Sequence, residues 1–360
     1  MGKTYRFSLI RGDGIGPEIM EATLRVIRAT GIEIEWEEVM VGEQAQTRFG
    51  HPFPEKSLET LKKNRVALKG PLIVPKGSDP VIIEHGEERI VHPSINSALR
   101  RELGCFANMR PVKTFPGLPT RYPPIDIVII REVTEDLYSG LEQWVDVGVA
   151  EAVKRTSRKA CDQITRFAFD YAKRQGRKRI TLGHKANVLS LTDGLFLHTA
   201  REIARDDPTI AFDDLMIDAL CFQLVNNPVP FDILLLSNQY GDILSDLCAG
   251  LVGSLGLAPG ANIGEECSVF EASHGAAPDI AGQNIANPLA LVLSASLMLK
   301  HLGEIDLGVK IEDAVAQLIR AKKGLTQDLG GSSTTWEMAL ELVRIIEGGT
   351  ARDMGTSVKY

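Results

Sequence analysis

Cysteine is scarce in this 360-residue sequence: Cys105, Cys161, Cys221, Cys248 and Cys267 are odd in number, widely spaced and form no C-x-x-C pair. That pattern argues against a disulfide framework and a zinc site, and leaves buried reduced thiols in a cytosolic (cytoplasmic) compartment as the expectation. Long apolar runs are missing too. The longest nearly apolar stretch, residues 289–299, is eleven residues with two serines inside it, too short to cross a membrane. Residues 1–9 lack a charged region followed by an apolar core, so no secretory signal is expected. A basic excess is absent as well: 40 Lys and Arg against 47 Asp and Glu give a net charge of −7. With the basic residues scattered, neither nucleic acid nor an anionic membrane is an expected partner. There is no repeat period and no long linker.

What is there is globular. Hydrophobic residues make up 44% and charged residues 24%, and the length favours two lobes over one core. Short β-prone runs fall at residues 5–10, 34–40, 65–68, 125–130, 179–182 and 231–236. Helical spacing falls at 18–29, 149–174, 194–205, 288–302, 311–321 and 335–347. Strands alternating with helices predict an α/β sheet with helices packed on it. The Pro/Gly-rich interval 115–124 reads as a loop, and the polar, turn-rich run 76–93 as an extended surface loop.

Gly12-x-Gly14-x-Gly16 follows the first strand, but its spacing is wrong for a dinucleotide fingerprint and position 17 is Pro17. A tight turn opening a helix accounts for it. Arginines are more informative. Arg100, Arg110 and Arg131 lie near Ser94, Asn96 and Asn108, and Arg131 closes an apolar strand at the rim where open α/β sheets hold ligands. Three converging guanidinium forks would suit a poly-carboxylate; the alternative is surface arginines in ordinary salt bridges. Asp242 and Asp246 are four apart, on one face of any helix beginning near them. Paired carboxylates repel unless a cation such as Mg²⁺ or Mn²⁺ sits between them, and Asp218 could add a third oxygen. A helix-dipole role explains Asp242 equally well, but Asp246 less well.

Lys185 directly follows a strand, where burial and neighbours can turn lysine into a base, and Tyr138 could be the matching acid. Small residues from His274 through Gly275, Ala277, Asp279 and Ile280 to Gly282, leading to Asn287, would let a flat ligand approach the backbone. Asp279 could accept from a ribose 2′-hydroxyl and repel a 2′-phosphate, favouring NAD over NADP.

Six segments occur in order: Arg11-Gly12-Asp13-Gly14-Ile15-Gly16-Pro17-Glu18, Leu99-Arg100, Ala107-Asn108-Met109-Arg110-Pro111, His184-Lys185-Ala186-Asn187, Tyr240-Gly241-Asp242-Ile243-Leu244-Ser245-Asp246, and His274 to Gly282. Together they resemble the β-decarboxylating dehydrogenases, which act on isocitrate, isopropylmalate, homoisocitrate or tartrate. Ser94 and Asn96 look most like the NAD-linked isocitrate branch, where they hold the carboxylate that isopropylmalate lacks; that branch's relatives for alkyl substrates are apolar here. The resemblance implies a twisted mixed sheet with flanking helices and a cleft between two domains. Residues 1–104 plus 253–360 would form the large domain, and 105–252 the small one with a dimerisation segment. It also implies roles. Arg100, Arg110 and Arg131 would hold substrate carboxylates; Asp242 and Asp246, with Asp218 of the partner subunit, would hold Mg²⁺ or Mn²⁺. Lys185, also from the partner, would take the hydroxyl proton and Tyr138 would protonate the enol carbon. His274, Gly275, Ala277, Asp279, Ile280 and Asn287 would bind NAD. A homodimer with shared sites follows from these assignments.

Three departures from the family pattern stand out: Val74-Pro75 replaces threonine-proline, the run 76–93 is long, and Cys105-Phe106 replaces leucine-tyrosine. The first two adjoin the substrate's variable arm and leave room for a specialised tricarboxylate or phosphonate analogue. A non-catalytic regulatory subunit is the competing reading, opposed by the retained Tyr138, Lys185, Asp242 and Asp246.

Overall fold

The computed structural model describes residues 4–74, 80–86 and 88–348. The first third of the chain runs β1 (Tyr5–Ile10), α1 (Gly16–Ala29), β2 (Ile34–Glu38), α2 (Glu43–Phe49), α3 (Glu55–Asn64), β3 (Val66–Lys69), β4 (Val81–His85), β5 (Glu88–His92) and α4 (Ile95–Glu102). The middle holds β6 (Cys105–Lys113), β7 (Asp126–Glu132), β8 (Glu142–Asp146), β9 (Val149–Ala152), α5 (Arg158–Gln175), β10 (Arg179–His184), α6 (Thr192–Asp206), β11 (Ala211–Met216) and α7 (Ile217–Asn226). The last third adds β12 (Ile233–Leu236), α8 (Asn238–Val252), β13 (Pro259–Gly264), β14 (Ser268–Ala272), α9 (Leu289–His301), α10 (Ile305–Ala321) and α11 (Thr335–Ile346).

Ten strands form one mixed sheet in the order β11-β10-β12-β7-β6-β13-β14-β3-β1-β2. Four strands at each end are parallel within their block, and antiparallel pairings of β7 with β6, β6 with β13, and β13 with β14 join the two blocks. Parallel strands must be covered on both faces. Their sequences comply: Ile127–Ile130 and Ile233–Leu236 are fully buried runs, not alternating ones. The apolar run 289–299 is α9, buried nearly all round against β13, β14 and α10. Its two serines are satisfied internally, Ser294 Oγ donating to the Glu271 carbonyl at 2.9 Å and Ser296 Oγ to the Gly308 carbonyl at 2.8 Å. Among the described residues no helix is long and apolar enough to cross a membrane.

Two expectations from the sequence are corrected. The helix expected over 149–174 begins only at Arg158, where Ser157 caps it by accepting from Ala160 N–H at 3.2 Å. Residues 149–152 pair instead with β8 in a hairpin whose turn includes Gly148 at φ 74°. The surface loop expected over 76–93 holds a second hairpin, β4 with β5; residues 76–79 and 87 lie outside the described residues. Alternation explains it, because Val81 and Ile83 point into a cluster with Leu72 and Ile95.

The glycine turn after β1 is structural and its position is informative. Asp13 N–H donates to the Pro71 carbonyl at 2.7 Å and Ile15 N–H to the Ala276 carbonyl at 2.9 Å, so one turn pins two loops far apart in sequence. A Cβ on Gly14, which sits at φ 57°, would stand 2.0 Å from the Ala276 oxygen. Gly14→Ala is therefore expected to cost about 1–3 kcal/mol from backbone strain, with the contact adding to it. Urea unfolding of the variant beside the parent protein checks this.

Candidate active site

Side chains on one face of a strand recur every second residue, and the sheet's centre uses this to gather charge. Asn108 and Arg110 are two apart on β6; Asn262 of β13 and Arg131 of β7 stand directly opposite Asn108. Glu271 of β14 pairs in register with Lys69 of β3. These residues share a face, and α4 adds Arg100 above them. Hydrogen bonds join the row. Arg100 Nε and Asn108 Nδ2 both donate to Asn262 Oδ1 at 2.9 Å, and Arg110 Nε donates to Asn108 Oδ1 at 2.8 Å. Asn262 Nδ2 donates to Glu271 Oε1 at 2.7 Å, Arg100 Nη2 lies 3.4 Å from the same oxygen, and Lys69 Nζ pairs with Glu271 Oε2. Burial opposes the Glu271 charge, but Lys69 and Arg100 outweigh it and hold the carboxyl well below its ordinary value.

The row floors a cleft of about 250 Å³ lined by Ser94, Asn96, Arg100, Arg110, Arg131 and Tyr138 together with the 272–275 segment. The arginines expected to converge do converge here, and ordinary surface salt bridging does not describe them: Arg110 and Arg131 are 7% and 1% exposed. Ser94 caps α4, accepting from Ser97 N–H at 3.2 Å. Asn96, one turn before Arg100 on the same helix face, has a buried Oδ1 with no protein partner. An acceptor left open at a cleft wall fits a ligand that donates, such as a hydroxyl or a protonated carboxyl.

The acidic wall comes from α8, which starts at Asn238, four residues before Asp242. Asn238 Oδ1 accepts from Arg131 Nε at 3.1 Å and Nη2 at 2.6 Å, and Arg131 Nη1 pairs with Asp242 Oδ1. Gly241 is required by contact: a Cβ there would stand 2.5 Å from Arg131 Cγ. Tyr138 donates to Asp242 Oδ2 at 2.8 Å, with the Arg131 guanidinium 5.3 Å from its ring centre. Burial and the Asp242 carboxylate push the Tyr138 phenol up, so it keeps its proton. Burial also works against the Asp242 charge, yet Arg131, the Tyr138 hydroxyl, Arg110 and Arg100 hold that carboxyl below its ordinary value. Asp246 goes the other way, raised by burial despite Arg110 3.5 Å away, with Asp242 adding to the rise. Two acid groups on one helix face, one resisting ionisation, are hard-oxygen donors a divalent cation would suit.

Lys185 and Asp218 line no part of this cleft. They pair with each other at 2.6 Å, Lys185 just after β10 and Asp218 in the first turn of α7. Hydrogen bonding to Lys185 lowers the Asp218 carboxyl. Among the described residues of the single chain no three acidic, histidine or cysteine side chains cluster as a metal site.

The 274–287 segment closes the other end of the cleft. His274 Nδ1 contacts the Gly275 carbonyl at 2.9 Å while Nε2 is buried without a partner, and burial lowers the ring's proton affinity. Gly275 has open space where a Cβ would be, Ala277 takes a left-handed turn at φ 38°, and Asp279 is exposed with Ile280 half-buried beside it. An open backbone cradle with an unpartnered imidazole nitrogen fits a nucleotide's polar edge. Asn287 is engaged elsewhere, donating to Asp328 at 2.9 Å and accepting from Leu289 N–H at 2.9 Å. Sequence reading missed Lys69, Glu271, Asn262 and Asn238 as site residues. The signal for two of them was available: a charge inside or closing an apolar strand, as in Val66–Lys69 and Ser268–Ala272, is rarely tolerated without a partner.

The chain matches the isocitrate/isopropylmalate dehydrogenase family over residues 6–342. It is 47% identical over 331 residues to "Isocitrate dehydrogenase [NAD] catalytic subunit 5, mitochondrial" of Arabidopsis thaliana, covering 92% of this chain and 85% of that one. It is 46% identical over 319 residues to the chloroplastic 3-isopropylmalate dehydrogenase of Solanum tuberosum, covering 88% and 86%. The crystal structure of isocitrate dehydrogenase from Methylococcus capsulatus superposes with a TM-score of 0.89 at 43% identity, covering 95% of this chain and 99% of that one. The chain belongs to the isocitrate/isopropylmalate dehydrogenase family. It is an oxidoreductase of isocitrate-dehydrogenase type.

Glu271 generates a pH prediction. Its folded-state affinity for the proton is lowered from the ordinary 4.5, so its stabilisation is full above that value and is lost as pH falls below it. Glu271→Gln is expected to lose ~3–5 kcal/mol at neutral pH, because Lys69 and Arg100 stay buried without their counter-charge. The variant's stability should also change less than the parent's between about pH 5 and pH 3. Urea unfolding across that range reads both.

Proposed function

We propose that this protein oxidises a 2-hydroxy acid with loss of CO₂, using NAD and a divalent cation, and that the acid is isocitrate, giving 2-oxoglutarate. One observation carries the substrate choice: the polar side chains of Ser94 and Asn96 line the cleft together with Arg100, Arg110 and Arg131. The Ser94 hydroxyl and the Asn96 amide N–H would donate to a third carboxylate and Asn96 Oδ1 would accept from the substrate hydroxyl, whereas the isopropyl group of isopropylmalate would leave Asn96 and Ser94 unpaired.

The arginines would fix the substrate carboxylates and so orient the C2 hydroxyl. Asp242 and Asp246, with Asp218 of the partner subunit, would hold Mg²⁺ or Mn²⁺. When bound, NAD supplies the hydride acceptor and the cation supplies Lewis-acid charge beside the substrate oxygens. Lys185 of the partner subunit would take the hydroxyl proton, and Tyr138, which keeps its proton, would deliver one to carbon after CO₂ leaves. His274, Gly275, Ala277 and Ile280 would cradle the nucleotide, with Asp279 meeting the ribose 2′-hydroxyl and repelling a 2′-phosphate.

Sharing of sites between two copies is supported by what one chain leaves outside its cleft, the Lys185–Asp218 pair. It is also supported by apolar exposure on the same part of the chain: Trp144 and Val147 on the β8–β9 hairpin are 76% and 98% exposed, and Phe222 and Ile243 on α7 and α8 are 69% and 58% exposed. A second copy covering these faces would bring the two half-sites together. The same reading keeps residues 1–104 with 253–360 as a large domain and 105–252 as the small one. Five free thiols, four of them buried, suit a reducing compartment, the cytoplasm or an organelle interior of the kind named for the relatives.

The test is a substrate panel followed by NADH formation with Mn²⁺. Isocitrate is expected to exceed 3-isopropylmalate in kcat/KM by at least about 100-fold, and Asn96→Leu to cut isocitrate kcat/KM at least about tenfold. Activity should vanish with EDTA and with Lys185→Ala. A preference for 3-isopropylmalate, or indifference to Asn96→Leu, would overturn the substrate; preference for NADP would overturn the role of Asp279.

A further inference from the structure

Lys154 lies between β9 and α5, outside every motif singled out in the sequence. Its ammonium is nearly buried and sits between two nearly buried carboxylates, Asp193 Oδ1 at 2.6 Å and Asp136 Oδ1 at 3.5 Å, with the Tyr240 ring centre 4.5 Å away. Both aspartates are already working. Asp136 opens the 3₁₀ turn Leu137–Ser139 that carries Tyr138: its Oδ1 accepts from Leu137 N–H at 2.9 Å and its Oδ2 from Gln239 N–H at 2.9 Å. It does so at φ 72°, a strained conformation for a residue with a side chain. Asp193, in the first turn of α6, accepts from the backbone N–H of Lys185 at 2.7 Å through Oδ2. Tyr240, on α8 two residues before Asp242, also neighbours Asp193; burial first and then the Asp193 carboxylate push its phenol up.

We infer that Lys154 is a positioning residue that ties the turn bearing the proton donor Tyr138 to the turn bearing the proton acceptor Lys185. The inference rests on the roles proposed above for those two residues. Because Lys185 is read as serving the partner subunit's cleft while Tyr138 serves its own, the Asp136–Lys154–Asp193 bridge joins elements of two different active sites inside one chain. A displacement of either turn is passed to the other through three short contacts. Two buried carboxylates without the intervening cation would repel, which makes the lysine the element that decides the geometry.

The test uses the intact dimeric enzyme with Lys154→Met and Lys154→Arg. For Lys154→Met the expected result is a kcat reduced at least about tenfold, as for slight misplacement of reacting groups, with KM for isocitrate within about threefold because the arginines are untouched. Lys154→Arg, which keeps the charge, is expected to restore most of kcat. Backbone hydrogen exchange gives a readout independent of substrate: Lys154→Met should speed exchange in both 136–140 and 185–193. If Lys154→Met is too unstable to purify, Asp193→Asn is examined in its place and must loosen the distant 136–140 turn. Unchanged kcat, a rise in KM alone, or loosening confined to one turn overturns the bridge. Coupled loosening in a protein that turns over no isocitrate would instead sink the proposed substrate and leave the bridge standing.

Discussion

Glu271 is the carboxylate that meets Lys69 on one sheet face, Arg100 from α4 above it and, through Asn262 and Asn108, Arg110. Gathering these three cationic side chains and the neighbouring Arg131 there costs desolvation and mutual repulsion. Arg131 shows the scale, with burial, Arg100 and Arg110 pulling its proton affinity down to about 9. Glu271 answers them from below and Asp242 from α8, while Asp246, its carboxyl raised by burial, lies 3.5 Å from Arg110. Such a face makes sense only if part of its stabilisation is deferred until a ligand arrives, which is how strained binding sites arise in otherwise stable folds.

The same constraint explains which parts of the molecule could be read from the sequence. Helices α1, α9 and α11, the apolar stretch 127–130 of β7 and strand β12 have one task, burial, and their patterns are unmixed. Strands β6 and β13 do two. Cys105–Lys113 alternates core residues Ala107 and Met109 with Asn108 and Arg110, and closes on Pro111, Val112 and Lys113, so it is not among the β-prone runs read from the sequence. Pro259–Gly264 contains two glycines and a proline because backbones approach closely there, a Cβ on Gly260 meeting the Glu271 carbonyl at 3.1 Å. Propensity failed where function and close approach took over the positions.

Site residues divide along a similar line. Arg131 and the Asp242–Asp246 pair were legible because strand ends and helical spacing fix where side chains point. Arg100 and Arg110 were legible as a group but not as a geometry, since only the β6–β13 register aligns them. Lys69 and Glu271 carry a readable sign, a charge inside or closing an apolar strand; Asn262 and Asn238 carry none, because Arg100, Asn108 and Arg131, which they support, lie far away in sequence. Lys185 and Asp218 are a different case. Their pairing follows from strand β10 and helix α7 being neighbours, but nothing in one chain brings them to the cleft, and the spacing of motifs along a sequence carries no sign of which copy a residue serves.

The glycine turn after β1 adds a last step. It resembles a nucleotide-binding loop in composition, yet its glycines are spent on protein contacts, Gly12 against the Pro71 carbonyl and Gly14 against that of Ala276. Those two carbonyls belong to the segments that flank the cleft on either side, 70–73 and 272–277. Asp13 strengthens the link by accepting from Ile73 N–H at 2.9 Å. The turn thus sets the separation of the cleft's walls without contributing a group to its chemistry. A motif can therefore hold a site together, and be diagnostic of a family, while its glycines meet protein backbone and not a ligand.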